Sequence, residues 1–110
     1  MALASSPEEA ALLSKIRTIL MPLADLVQTD LPQYRTLFTP AAKQTKEEAR
    51  QLKKKIEEEH ARLGELLLQM LLKLDGIDAQ PDFEEARKQR KAGVKQLQAY
   101  IDEVDKLYNE

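Results

Sequence analysis

The middle of this chain carries two interlocking rows of residues, each repeating every seven positions. Ile56, Leu63, Met70 and Ile77 form one row, and His60, Leu67 and Leu74 form the other. Rows spaced in this way fall along one side of an α-helix, and a seam of that length requires a long helix lying nearly parallel to a neighbour. The seam stops at Gly76, with Pro81 close behind. The turn from Gly76 to Pro81 is short enough to send the next helix back antiparallel, and glycine at this position predicts a left-handed helix cap.

Three helix starts carry the same signal: Ser6-x-x-Glu9, Thr45-x-x-Glu48 and Asp82-x-x-Glu85. In each, the first side chain can accept from an orphan N–H while the acidic side chain reaches back to the cap. Pro7 stands where its missing donor costs nothing, and Pro81 keeps the preceding helix from running on. The spacing predicts helices over about 7–30, 46–75 and 83–107. Their core stripes are Leu12, Ile16, Ile19, Leu23 and Leu26 in the first, the two seven-residue rows in the second, and Phe83, Ala86, Val94, Leu97, Ile101 and Val104 in the third. Pro22 is expected to bend or locally break the first helix, because its ring removes a donor and crowds the preceding turn. Residues 31–44 form the connection, with Tyr34, Leu37 and Phe38 suggesting a short helical continuation. The expected architecture is all-α: an elongated antiparallel three-helix bundle over residues 6–110, preceded by a flexible tail at residues 1–5.

Composition narrows the possible functions. The 110 residues contain only three glycines, which leaves little room for the tight turns of a β-rich fold. The absence of cysteine removes disulfide and thiol chemistry and fits a reducing, cytoplasmic setting. No apolar run reaches the roughly 18 residues of a membrane span, and the N-terminus does not read as a signal peptide. A parent protein tethered elsewhere remains compatible with these features. Glu57-x-x-His60 has the spacing of one half of a carboxylate-bridged di-iron site, but His60 is the only histidine and falls on the apolar row. It reads as a core-edge residue. With no phosphate loop, nucleophile elbow or metal-spaced cluster, no enzyme activity, metal or other cofactor is expected.

The net charge of −2 conceals an uneven distribution. From Arg87 to Tyr100 there is no acidic residue, while Arg87, Arg90, Lys91 and Lys95 lead up to Gln98. Arg87, Lys91, Val94 and Gln98 advance by four, three and four, so they share one face beside the core row. On the preceding helix Glu65 and Asp75 stand as isolated carboxylates. Gly93, costly inside a helix by about 1 kcal/mol relative to alanine, points to a close approach there and strengthens the case for a partner. The acidic residues and acidic isoelectric point argue against nucleic acid. The run Lys53-Lys54-Lys55 before Glu57-Glu58-Glu59 reads as a solvated face.

The segments Leu71-Leu72-Lys73-Leu74-Asp75-Gly76-Ile77-Asp78 and Arg90-Lys91-Ala92-Gly93-Val94-Lys95-Gln96-Leu97-Gln98-Ala99 resemble the BAG domain, the three-helix module of co-chaperones that bind the nucleotide-binding domain of seventy-kilodalton heat-shock chaperones. The resemblance is good over roughly residues 61–107 and loose over the first helix. It implies a nucleotide-exchange factor, likewise a monomer with that chaperone domain as its partner. Carried over position by position, it assigns the contacts to Glu65, Asp75, Arg90, Lys91 and Gln98, with Arg87 as an extra. Arg90 lies off the core row, so its truncation is expected to leave folding almost untouched. The rival reading is a coiled-coil scaffold or homodimerising adaptor, which the seven-residue seam would serve.

Overall fold

A computed structural model describes residues 7–39 and 43–109. The expected tail at residues 1–5 and the cap residue Ser6 lie outside the described residues. Every regular element among the described residues is helical: α1 is Pro7–Asp25, a π-helical turn covers Leu26–Asp30, α2 is Leu31–Thr36, α3 is Lys46–Asp75 and α4 is Glu84–Asn109. The fold is an elongated antiparallel three-helix bundle in which α1, the π turn and α2 act as the first rod. Its extents are 62 × 23 × 18 Å and its radius of gyration is 18.3 Å, against about 13 Å for a compact domain of this length.

The first rod runs on through both Pro22 and Pro32. It is not broken at Pro22, which lies inside α1. Ile16, Leu23 and Leu26 are all buried against the other helices, holding the backbone in register on both sides of the proline. Past Asp30 it continues as the short helical segment that Tyr34, Leu37 and Phe38 suggested. The Leu31 N–H bonds back to the Leu26 carbonyl, a five-residue step, and the helix continues to Thr36. Such widening suits the approach to Pro32, which has no N–H to offer the ordinary ladder. The continuation carries Tyr34 into the core, where its hydroxyl donates to the Val104 carbonyl at 2.9 Å. Burial pushes this hydroxyl up to about 12, with Asp105 and Tyr108 acting in the same direction, so it stays protonated and able to donate. Arg35 adds a two-pronged pair with Glu103, at 2.9 Å for its Nη2 arm.

The start of α3 follows the sequence signal closely. The Thr45 hydroxyl accepts the Glu48 N–H, and the Glu48 carboxylate accepts the Thr45 N–H. Those bonds hold the Glu48 carboxyl below its usual range. From there both seven-residue rows run into the core: Leu63, Leu67 and Leu74 are fully buried and Met70 nearly so. Their cover is internal, supplied by α1 and α4. At the C-terminal end Gly76 does not take the left-handed conformation. Its φ is −76° and its ψ −8°, and its N–H bonds to the Leu72 carbonyl while Ile77 N–H bonds to Leu74. A tight right-handed closing turn therefore ends the helix, with Ile77 buried as its anchor.

The start of α4 is built differently from the expected Asp82 cap. Pro81 and Asp82 form a turn closed by Phe83 N–H to the Gln80 carbonyl, and Phe83 supplies the first acceptor of the helix, bonding Arg87 N–H. Because Phe83 must be buried, the helix begins one residue later than the Asp82 signal implies, and the Asp82 side chain makes no capping bond among the described residues. The acceptor comes from another helix instead. Glu9 of α1, only 8% exposed, accepts the Ala86 N–H at 3.1 Å through its carboxylate. A carboxylate at a helix N-terminus also meets the favourable end of the helix dipole. Glu9→Ala should therefore destabilise the bundle by about 1–3 kcal/mol, since it leaves a buried N–H without its acceptor. Glu9→Gln, which keeps an acceptor oxygen, should recover much of that loss. Chemical denaturation of both variants checks the prediction, and equal midpoints for Glu9→Ala and the parent would refute it.

Candidate functional site

The α3–α4 hairpin is held in register at both ends. Near the turn, Arg90 Nη1 donates to the Ile77 carbonyl at 2.6 Å. At the far end, His60 Nε2 lies 2.9 Å from Asp105 Oδ1, and its ring stacks on Tyr108 with centroids 4.0 Å apart. His60 is thus a half-buried residue at the edge of the core, as expected of it. Among the described residues no group of three or more His, Cys, Asp or Glu is placed to hold a metal ion.

This register turns the α4 stripe and one face of α3 toward the same side of the molecule. An open groove of about 630 Å³ runs along it, lined by Asp75 of α3 and by Arg87, Lys88, Arg90, Lys91, Val94, Lys95 and Gln98 of α4. Five of the six expected contact residues therefore share one groove. Glu65 does not line it. It sits ten residues before Asp75 on the same face of α3, about 15 Å along the helix, where its carboxylate accepts the Gln69 amide at 2.7 Å. Asp75 is the one carboxylate in a lining that holds five cations. An otherwise acidic chain thus presents a local cationic trough suited to carboxylates on a partner.

Two expectations about individual residues need correction. Gly93 is buried, and a methyl built on it would stand 3.0 Å from Leu20 Cδ1 and 3.0 Å from Leu74 Cδ1. The close approach it permits is therefore internal, between α4, α1 and α3, and carries no information about a partner. Arg90 is half-buried and bound to the Ile77 carbonyl, so it fastens the inter-helix turn as well as lining the groove. Its loss cannot be neutral for folding. Arg87 shares this behaviour more weakly, donating to the Pro81 carbonyl at 3.4 Å. By contrast Lys91 and Gln98 are exposed and make no side-chain hydrogen bond or ion pair among the described residues.

Sequence reasoning missed Lys88, which adds a cation to the groove. It also passed over Leu68 and Leu72, which are exposed on the face that carries Glu65 and Asp75. The signal was present as the spacing 65, 68, 72 and 75, but apolar residues in a long amphipathic helix read as core by default.

The BAG-domain family model matches residues 12–107, nearly the whole chain. This chain belongs to the BAG-domain family. No curated protein and no solved structure matches it significantly. Members of the family are non-enzymatic co-chaperones, and this BAG domain accordingly has a chaperone-binding role, with a seventy-kilodalton heat-shock chaperone as the class of partner. The match also takes in α1 from Leu12 onward, the part of this BAG domain whose resemblance was loosest. No helix among the described residues is long and apolar enough to cross a membrane.

Proposed function

We propose that this BAG domain is a nucleotide-exchange factor, acting as a monomer in the cytoplasm on the nucleotide-binding domain of its chaperone. The observation that carries the reading is the single face on which the α4 groove and the α3 carboxylates meet. Lys91, Arg90 and Arg87 would pair with carboxylates of the chaperone, Glu65 and Asp75 with basic groups, and Gln98 would supply a neutral hydrogen bond. Charges of both signs at fixed positions impose one docking orientation and suppress others. A rod 62 Å long has the reach to bridge two lobes of a cleft.

The exchange itself needs no chemistry from this chain. If the bundle binds the open-cleft chaperone more tightly than the closed one, linkage requires that nucleotide bind the complex more weakly, so ADP leaves and ATP can enter. The fate of the seven-residue seam supports monomeric action: Leu63, Leu67, Met70 and Leu74 are covered within the chain and are not available to a second helix.

The test is release of a fluorescent ADP analogue from the chaperone's nucleotide-binding domain, with the parent chain and with Lys91→Glu. Lys91 is the appropriate position because its exposed side chain has no part in the fold. Acceleration by the parent that the variant loses is the expected result. An unchanged release rate with the parent would overturn the exchange-factor reading.

A further inference from the structure

The face that carries the charged groups is not charged at its centre. Leu68 is 42% and Leu72 53% exposed. Together with Glu65 and Asp75 they follow steps of three, four and three along α3, so all four project from one face. The hairpin register, held by Arg90 to Ile77 and by His60 to Asp105, brings Leu72 level with Lys91 and Val94, and Leu68 level with Gln98. Val94 is half-buried in the groove. Leu68 and Leu72 thus lie along α3 between Glu65 and Asp75, beside the groove in which Val94 stands among the cations.

The core does not account for these two leucines. The residues of α3 that fill the core are Leu63, Leu67, Met70 and Leu74, and they lie on a different face. Traced back toward the start of α3, the outward face continues through Ala61, Glu58 and Lys54, which are small or charged. Large apolar side chains occur on it only where the basic stripe of α4 runs alongside. Exposed leucines framed by charge have the anatomy of an interface, with a water-excluding centre inside a polar rim.

We propose that Leu68 and Leu72 form the apolar centre of the docking surface, and that its occupant is the chaperone's nucleotide-binding domain. The inference rests on the exchange-factor reading. It adds a requirement on the partner: an apolar patch, flanked by acidic groups where α4 docks and by basic groups opposite Glu65 and Asp75. Charge then sets orientation, and the leucines supply the part of the affinity that salt does not screen.

Calorimetric titration of the chaperone's nucleotide-binding domain separates these contributions, using the parent chain, the double variant Leu68→Ala/Leu72→Ala, and Lys91→Glu. The double variant should bind about tenfold more weakly or worse. Its melting temperature should stay within about 2 °C of the parent's, since both side chains are exposed. Raising salt from about 0.1 M to about 1 M shortens the screening length from about 10 Å to about 3 Å. The parent should then retain measurable affinity that the double variant lacks. If the double variant binds within about twofold of the parent while Lys91→Glu does not bind, the apolar centre is overturned and the exchange-factor reading stands. If the parent itself does not bind, both fall. If the leucine substitutions instead abolish self-association of this chain in sedimentation, the occupant is a second copy and the proposal is overturned.

Discussion

Leu97→Ala is expected to destabilise the bundle by about 2–5 kcal/mol, a large fraction of the roughly 5–15 kcal/mol that holds a domain folded. Leu97 is fully buried at the middle of α4, in the hydrophobic cluster that joins all three rods. The cost has two parts: the transfer free energy of the deleted atoms, and the cavity left because rigid helices collapse only partly into it. An elongated bundle makes the second part worse. With a cross-section of 23 × 18 Å there is essentially one layer of core side chains at any level, and no deeper packing to rearrange. Leu67→Ala, at an equally buried site on α3, should behave alike. A thermal melt for either variant coincident with the parent's would contradict this core.

Arg90→Ala should produce the other large effect, and it should act on two properties at once. Binding to the chaperone is expected to weaken by about 2–5 kcal/mol if the partner's carboxylate is left buried and unpaired. Folding stability should fall as well, by about 1–3 kcal/mol, because the Ile77 carbonyl loses the guanidinium at 2.6 Å that closes the turn between α3 and α4. A loss of affinity measured for this variant alone would therefore be ambiguous. Lys91→Ala supplies the control: it removes a neighbouring cation with no intramolecular bond, so it should weaken binding with little change in the melt. Arg90→Ala that alters affinity by less than about threefold would remove this residue from the contact set, whatever it does to stability.

The helices were legible in the sequence where local and periodic signals agreed. The Thr45–Glu48 box needs only four consecutive residues, and its bonds are those that the sequence predicts. The seven-residue rows of α3 pointed to burial because a helix must cover a continuous apolar seam, whatever the neighbour. What was missed depended on residues far apart in the chain. Asp82 looked like a cap, but the α4 N-terminus takes its acceptor from Glu9, 77 positions away. The helical continuation past Asp30 was anticipated, but not that it carries Tyr34 into the core to bond the Val104 carbonyl, 70 positions on.

The candidate surface divides along the same line. The acid-free stripe from Arg87 to Gln98 and the carboxylates Glu65 and Asp75 are statements about single helix faces, and the sequence alone determines them. Only the tertiary structure decided that these faces turn to the same side, through the register that Arg90 and His60 hold across the hairpin. It also decided that Gly93 serves internal packing, that Arg90 is tied to the turn, and that Leu68 and Leu72 stay outside the core. The physical reason is that helical periodicity specifies which residues share a face, whereas burial depends on which other helix covers that face and at what height.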